Sequence, residues 1–289
     1  MSMETAAAAS AYMTDRLARR YGAREASAIT RIVFEDVFQV RGDAGHRLFS
    51  EAEQQRFSGI LQRLLAGEPV QYVLGEADFF GLKFTVDPSV LIPRQETEEL
   101  VAWALGLLKN YPEKNPRVLD IGLGSGCIGI TLKKKFPNLL LSGVEKSPAA
   151  VETAIRNADR ILGPAQAEFT LFDILERTKW AQFSQFDLII SNPPYIPVSE
   201  KKLVPEHVFN HEPETALFVQ DEDPLLFYRV IADFSLIHLQ PGAALLFECN
   251  EFNAGNVAAL LEEKGLLNVE LRKDLAGADR MVGARKKTN

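Results

Sequence analysis

The tetrapeptide Asn192-Pro193-Pro194-Tyr195 carries the most specific chemistry in the sequence. The Asn192 side-chain oxygen and the Pro193 carbonyl can accept the two N–H groups of a planar amide or amino nitrogen, while Tyr195 offers a ring for stacking. The two prolines keep the segment stiff, with no N–H at either position. The pattern predicts that Asn192, Pro193 and Tyr195 catalyse a reaction by positioning such a nitrogen, and that Asn192 to Tyr195 bind the substrate.

A glycine-rich turn, Gly122-Leu123-Gly124-Ser125-Gly126, lies between a predicted strand and a predicted helix. Glycine allows a tight turn and a close approach of the backbone to a ligand. The spacing differs from the GxGxxG of dinucleotide-binding proteins, so we interpret the turn as a site for S-adenosylmethionine, which has no pyrophosphate. Its sulfonium is an activated methyl donor, and Asp120 is expected to organise the turn and the ligand's amino group. A structural turn and a dinucleotide site are the alternatives.

Three residues at the ends of the next predicted strands could complete a nucleoside site. Glu145 follows the glycine turn by about 20 residues, where a carboxylate can accept both ribose hydroxyl hydrogens. Asp173 could accept a hydrogen bond from the adenine amino group, and Ile174 could cover the adenine ring. Surface exposure, loop capping and core packing are the alternatives for these residues.

Strands and helices alternate from residue 116 onward, which is typical of a doubly wound, Rossmann-like α/β fold. The apolar runs predict seven strands, the last two forming an antiparallel hairpin: 117–121, 139–145, 167–172, 186–191, 243–249, 267–272 and 280–285. We therefore predict a mostly parallel seven-stranded sheet of the class I methyltransferase type, with helices on both faces. Ligands bind such sheets at the carboxyl ends of the strands, so the glycine turn and Asn192 should face each other, with Asn192 also bordering the cofactor.

The chain before this alternation differs in character. Apolar residues at helical spacing predict a small helical domain over residues 1–74, with breaks at Gly22, at 42–45 and at 67–69. Residues 75–92 are interpreted as a hairpin linker, and residues 93–289 as the methyltransferase domain. Because the helical domain lacks a chemical motif, we expect it to dock the substrate.

Composition limits the functions that the chain can have. A net charge of −7 over 289 residues argues against tight, unaided binding of nucleic acid. The two cysteines and four histidines show no metal-ligand spacing, and no apolar run is long enough to span a membrane. We therefore expect a cytoplasmic monomer that needs no metal. The acidic stretch 212–223 is expected to be a solvated loop, and the histidines are expected to be structural or at the surface: His46, His207, His211 and His238.

Taken together, these residues resemble the HemK-type family, the peptide chain release factor glutamine methyltransferases. Members of that family methylate the side-chain amide of the glutamine in a Gly-Gly-Gln loop of release factors. The resemblance covers nearly the whole chain and includes, besides the turn and the tetrapeptide, Gly67-Glu68-Pro69-Val70-Gln71-Tyr72, Phe79-Phe80-Gly81-Leu82-Lys83-Phe84, Leu91-Ile92-Pro93-Arg94-Gln95-Glu96-Thr97-Glu98 and Asp274-Leu275-Ala276-Gly277-Ala278-Asp279-Arg280.

The resemblance implies roles for single residues. Gly122 to Gly126 and Glu145 would hold S-adenosylmethionine, Asp173 and Ile174 would flank its adenine, and Asn192 to Tyr195 would hold the glutamine. S-adenosylhomocysteine would be the product, and Phe79 would pack near the methyl end of the cofactor. The sequence departs from the family at three positions, since Glu145 replaces the usual Asp, Gln95 a Pro, and Ile174 an aromatic residue.

Three other functions remain open at this point. The first is methylation of a ribosomal protein glutamine, although the run Glu96-Thr97-Glu98 favours a release factor. The second is amino methylation of a nucleic-acid base, which would require groups that grip phosphates. The third is a non-catalytic module that only binds the adenosyl group.

Overall fold

The computed structural model describes residues 5–41 and 46–288. The chain forms two compact units, one made of Met1–Glu76 with Glu206–His211 and the other of Ala77–Pro205 with Glu212–Asn289. The helix break predicted at 42–45 lies outside the described residues. Within the described part of the chain, no helix is long and apolar enough to cross a bilayer.

Eleven α-helices occur in the described part of the chain. In chain order they are α1 Ala6–Tyr21, α2 Ala23–Asp36, α3 Glu51–Leu65, α4 Val70–Leu74, α5 Gln95–Lys109, α6 Cys127–Lys135, α7 Pro148–Leu162, α8 Glu206–His211, α9 Glu214–Leu217, α10 Leu226–His238 and α11 Ala254–Glu263. Two 3-10 helices cover Arg177–Gln182 and Val198–Leu203.

The first unit is helical, as the sequence predicts. Helices α1 to α4 enclose a core that contains four phenylalanines in mutual contact, Phe34, Phe38, Phe49 and Phe57. Helix α3 begins at a capping box, in which Ser50 and Glu53 each bond to the other's backbone N–H.

The strands divide among three sheets. They are β1 Glu76–Phe79, β2 Leu82–Thr85, β3 Arg117–Ile121, β4 Leu140–Glu145, β5 Ala167–Leu171, β6 Phe186–Ser191, β7 Ile196–Pro197, β8 Phe218–Val219, β9 Leu239–Glu248, β10 Leu267–Lys273 and β11 Asp279–Arg285. Strands β1 and β2 form a hairpin whose two-residue turn has positive φ at Phe80 and Gly81. Strands β7 and β8 form a short parallel pair that the sequence analysis did not predict.

The main sheet has seven strands in the order β10-β11-β9-β6-β3-β4-β5. Strand β11 pairs antiparallel with both of its neighbours, while the pairs from β9 to β5 are all parallel. This confirms the predicted mostly parallel, doubly wound sheet. The order reverses at β3, since the chain continues to β4 and β5 on one side and then crosses to β6 on the other.

Each face of this sheet carries its own hydrophobic core. Alternate residues of a strand point to opposite faces, so Ile189 of β6 packs with α10 and α11, while Leu188 and Ile190 pack with α5, α6 and α7. Phe79 belongs to the second of these cores and is 1% exposed. It is a packing residue of the hairpin, and the contact with the methyl end of the cofactor that was expected for it stays a prediction.

Asn157 of α7 links the hairpin to the glycine turn. Its side chain is fully buried, and its Oδ1 accepts a hydrogen bond from the N–H of Thr85 at 2.7 Å. Its Nδ2 donates to the carbonyls of Thr85 and Ser125, both at 3.0 Å. One side chain therefore satisfies three backbone groups, two at the end of β2 and one in the glycine turn.

We expect the substitution Asn157→Ala to lower the free energy of unfolding by about 3 kcal/mol, because it leaves buried backbone groups without partners. Chemical denaturation should show this loss. The matched control is Glu152→Ala on the exposed side of the same helix. Equal stability of the two variants would contradict the linking role.

Candidate active site

A cavity opens at the carboxyl ends of β3, β4, β5 and β6, and its 1020 Å³ of space is partly continuous with solvent. Ligands of doubly wound sheets bind at this position, beside the strand where the order reverses. Most of the predicted site residues line it together: Gly122, Leu123, Gly124, Ser125, Glu145, Asp173, Ile174, Asn192, Pro193 and Pro194. Two predicted residues, Gly126 and Tyr195, do not belong to this lining.

The glycine turn is shaped by its glycines in two ways. Gly124 has φ +51°, and a Cβ there would meet no heavy atom within 4 Å, so the backbone faces open space in the cavity. Gly126 has φ +78°, and a Cβ there would meet Ile130 Cδ1 at 2.6 Å. Gly124 is therefore suited to a close ligand, while Gly126 is required by the turn and by packing against α6.

Glu145 stands where β4 ends. Its Oε2 accepts a hydrogen bond from the N–H of Gly124 at 3.2 Å, and its Oε1 accepts one from the N–H of Ser147 at 3.0 Å. A carboxylate oxygen can accept more than one hydrogen bond, so both oxygens retain capacity towards the cavity. This carboxylate can therefore accept hydrogen bonds from two hydroxyl groups of a ligand.

Asp173 and Ile174 follow β5 and lie on the same cavity wall. The Asp173 Oδ1 accepts from the N–H of Leu175 at 2.9 Å, which fixes the turn. Ile174 is held through its carbonyl, which accepts from the indole N–H of Trp180 at 2.9 Å. Phe172 adds an aromatic surface beside them that the sequence analysis did not single out.

Asp120 lies behind the glycine turn. It is 1% exposed, its Oδ2 accepts from the N–H of Gly129 at 2.9 Å, and its Oδ1 has no hydrogen-bond partner among the described residues. Burial raises the pKa of this carboxyl to about 7. Asp120 anchors the start of α6 and does not line the cavity. It had been expected to hold the amino group of a ligand, and this position does not place it to do so.

Asn192 emerges directly after β6. Its Nδ2 donates to Thr97 Oγ1 at 3.4 Å, and Thr97 Oγ1 donates to Glu248 Oε2 at 2.6 Å. With its nitrogen engaged inside the protein, the Asn192 side chain leaves its oxygen for a ligand in the cavity. Pro193 lies beside it in the cavity wall.

Tyr195 takes a different position from the expected one. Its ring is half-buried, packs against the core beneath α10, and does not line the cavity. Burial raises the pKa of its hydroxyl above the usual value. The stacking surface predicted for this ring is therefore not presented to the cavity described here.

The stretch 212–223 was predicted to be a solvated loop, which holds for the exposed Glu214, Asp221 and Glu222 but is wrong for Glu212. Glu212 is 4% exposed, and its carboxylate accepts from the N–H of Ile92 at 3.1 Å and from Arg94 Nη2 at 2.6 Å. This half-buried ion pair fixes the chain that brings Pro213 and Thr215 to the cavity wall. The ion pair joins residues that are far apart in the chain, so no local sequence pattern reveals it.

Two more residues of the site, Thr97 and Glu248, were missed as candidates. A signal existed for Glu248, since it ends a predicted strand at the same sheet edge as Glu145. Thr97 lies in the first turn of α5, and the only sequence signal for it is the motif that contains it. No group of three or more histidine, cysteine, aspartate or glutamate side chains suited to a metal occurs in the described ranges.

Comparison with known proteins agrees with this geometry. Residues 104–215 match the family model "Methyltransferase small domain", and residues 8–75 match "PrmC N-terminal domain". The release factor glutamine methyltransferase of Flavobacterium psychrophilum is 43% identical over 77% of each chain. That of Bacteroides thetaiotaomicron is 36% identical over 95% of this chain and 98% of its own.

The chain belongs to the family of release factor glutamine methyltransferases. Its fold is shared more widely, as a methyltransferase structure from Pyrococcus furiosus shows, with a TM-score of 0.51 at 17% identity over 78% of this chain and 97% of the other. As a family member the chain is a methyltransferase, and the methyltransferase fold implies use of S-adenosylmethionine.

The buried Asp120 gives the folded protein a defined pH dependence. Its folded pKa of about 7 lies above the unfolded value of about 4, so its contribution to stability is full below pH 4 and is lost as the pH rises to 7. We expect wild type to lose stability relative to Asp120→Asn over this range, by at most about 1.4 kcal/mol per pH unit.

Denaturation curves between pH 4 and 8 measure this difference. The exposed substitution Asp159→Asn serves as the matched control and should run parallel to wild type. Parallel curves for Asp120→Asn and wild type would contradict the assigned environment of the carboxyl.

Proposed function

We propose that the chain transfers a methyl group from S-adenosylmethionine to the side-chain amide nitrogen of the glutamine in the Gly-Gly-Gln loop of peptide chain release factors. The observation that carries the proposal is the Asn192 amide, whose nitrogen bonds inward to Thr97 and whose oxygen is left for the cavity. The names of the curated relatives support this substrate.

The cavity wall fits the cofactor by its donor and acceptor set. When bound, S-adenosylmethionine supplies an electrophilic methyl group on a sulfonium. Glu145 would accept the ribose hydroxyl hydrogens, Asp173 would accept from the adenine amino group, and Ile174 would cover the adenine ring. The backbone from Gly122 to Ser125 would border the rest of the ligand, where Gly124 leaves open space.

The tetrapeptide would activate a weak nucleophile by holding it. The lone pair of an amide nitrogen is delocalised into its carbonyl, so the nitrogen must be oriented before it can attack. Asn192 Oδ1 and the Pro193 carbonyl would accept its two N–H groups. As the N–C bond forms and the S–C bond breaks, these acceptors stabilise the positive charge on nitrogen, which then releases a proton to solvent.

The helical unit is proposed to dock the protein substrate. It contains no chemical motif, and residues 8–75 match the family model "PrmC N-terminal domain". Because release factors act in translation, the proposed place of action is the cytoplasm. The monomeric state expected from the sequence stays a prediction.

Asn192→Ala should lower the single-turnover rate of methyl transfer at least about 100-fold, because one of two acceptors is lost. The dissociation constant for S-adenosylmethionine should change little. Asn268→Ala, at the exposed start of β10, is the matched control. A wild-type rate in Asn192→Ala would defeat the assigned role.

Glu145→Ala should weaken binding of S-adenosylmethionine at least about tenfold, because it removes charged acceptors for two hydroxyls. Titration calorimetry of the free enzyme measures the dissociation constant. Glu152→Ala on α7 is the control, and unchanged binding in Glu145→Ala would show that the ribose lies elsewhere.

The proposed substrate is tested with methyl-labelled S-adenosylmethionine and four acceptors. These are a release factor, its variant with the Gly-Gly-Gln glutamine changed to alanine, a ribosomal protein and nucleic acid. Label is expected in the unaltered release factor alone. Label in the ribosomal protein or in nucleic acid, with none in the release factor, would overturn the proposal.

A further inference from the structure

Three side chains from separate elements form a buried chain of hydrogen bonds behind the cavity. Asn192 follows β6, Thr97 lies in the first turns of α5, and Glu248 ends β9. Thr97 and Glu248 are each 2% exposed. The distances are 3.4 Å from Asn192 Nδ2 to Thr97 Oγ1 and 2.6 Å from Thr97 Oγ1 to Glu248 Oε2.

The direction of this chain depends on one proton. A threonine hydroxyl has a single hydrogen, and an ionised Glu248 can only accept it. The Thr97 oxygen can then only accept from Asn192, so the Asn192 Nδ2 must point inward and its Oδ1 outward. A protonated Glu248 can instead donate to Thr97, which frees the threonine hydrogen for Asn192 Oδ1 and lets the amide turn over.

We propose that Glu248 and Thr97 are positioning residues, and that the ionised Glu248 carboxylate, acting through Thr97, holds the Asn192 oxygen towards the target nitrogen. This inference rests on the proposed function. In the opposite orientation Asn192 would present N–H groups to a substrate that itself needs acceptors. The aligned hydrogen bonds also polarise the Asn192 amide, which makes its oxygen a stronger acceptor.

The surroundings of Glu248 place its ionisation, and with it the change in orientation of Asn192, near neutral pH. Burial and, to a smaller extent, the nearby Glu96 raise the pKa of Glu248 to about 7, against the lowering effects of the hydrogen bond from Thr97, the charge of Arg280 and the Asn192 amide. Arg280 is shared with Asp274, which accepts from its Nε at 3.0 Å. Because a carboxyl ionises as the pH rises, the oriented state is gained above about pH 7.

The cysteine and tyrosine side chains near this carboxylate stay protonated in that range. Burial raises the pKa of Cys127 to about 12, and it raises the pKa values of Tyr195, Tyr228 and Cys249 above their usual ranges. Within this hydrogen-bond chain Glu248 is therefore the group that titrates near pH 7, and Asp120 behind the glycine turn titrates in the same range.

The kinetic test uses Glu248→Gln, Thr97→Val and Thr97→Ser in the full-length enzyme. Between pH 6 and 8 the wild-type kcat should rise with a midpoint near 7. Glu248→Gln and Thr97→Val should lower kcat at pH 8 at least about tenfold, flatten this rise and leave cofactor affinity unchanged. Thr97→Ser, which keeps the hydroxyl, should restore both, and Glu262→Gln on α11 is the exposed control.

A second readout does not depend on turnover. In protein labelled with ¹³C and ¹⁵N, the Asn192 side-chain NH2 resonances should shift with the same midpoint as the Glu248 carboxyl carbon. In the Thr97→Val variant the Asn192 resonances should no longer follow the titration of the Glu248 carboxyl. The inference would be overturned if the Asn192 resonances did not shift as Glu248 titrates. It would also be overturned if the Thr97→Val variant had the wild-type kcat and pH profile.

The two proposals fail differently. If Asn192→Ala is inactive while Glu248→Gln and Thr97→Val behave as wild type, the positioning role is wrong and the methyl transfer stands. If wild type does not methylate release factor, the proposed function is wrong, and the coupled resonances still decide whether the carboxylate orients the amide.

Discussion

The parallel pairing of β3 with β6 is the constraint on which the site depends. Ile121 pairs with Ser191 in the register of these strands, and Ser191 Oγ donates to the Ile121 carbonyl at 2.7 Å. The residues that follow, Gly122 and Asn192, therefore leave the sheet side by side at the same edge. A shift of one residue would turn the side chains of one strand to the opposite face and separate the glycine turn from the acceptor pair.

Three carboxyl groups near this edge show how environment decides the role of one chemical group. Asp120 is buried behind the turn with one oxygen bonded to Gly129. Glu145 receives two backbone N–H groups and keeps a face in the cavity. Glu248 is buried at the end of a hydrogen-bond chain. The roles proposed for the three groups, anchoring, ligand binding and orientation, thus follow from their contacts rather than from residue type.

Much of the fold could be predicted from the sequence because buried parallel strands are continuous apolar runs. The strand-end rule likewise located Glu145, Asp173 and Asn192 on one cavity. The contact between Thr97 and Glu248 spans 151 residues, and no local pattern encodes it. The same limitation explains why Glu212 was taken for a solvated residue, and why Tyr195 was assigned to the cavity although its ring packs into the core.

The central claim is that a carboxamide oxygen and a proline carbonyl converge on one planar nitrogen. It is tested most directly by a crystal structure of the enzyme with S-adenosylhomocysteine and a release factor bound together. The account predicts Asn192 Oδ1 and the Pro193 carbonyl oxygen at about 2.7–3.2 Å from the glutamine nitrogen. A glutamine nitrogen held by other groups, or an Asn192 side chain with its nitrogen turned to the substrate, would contradict it.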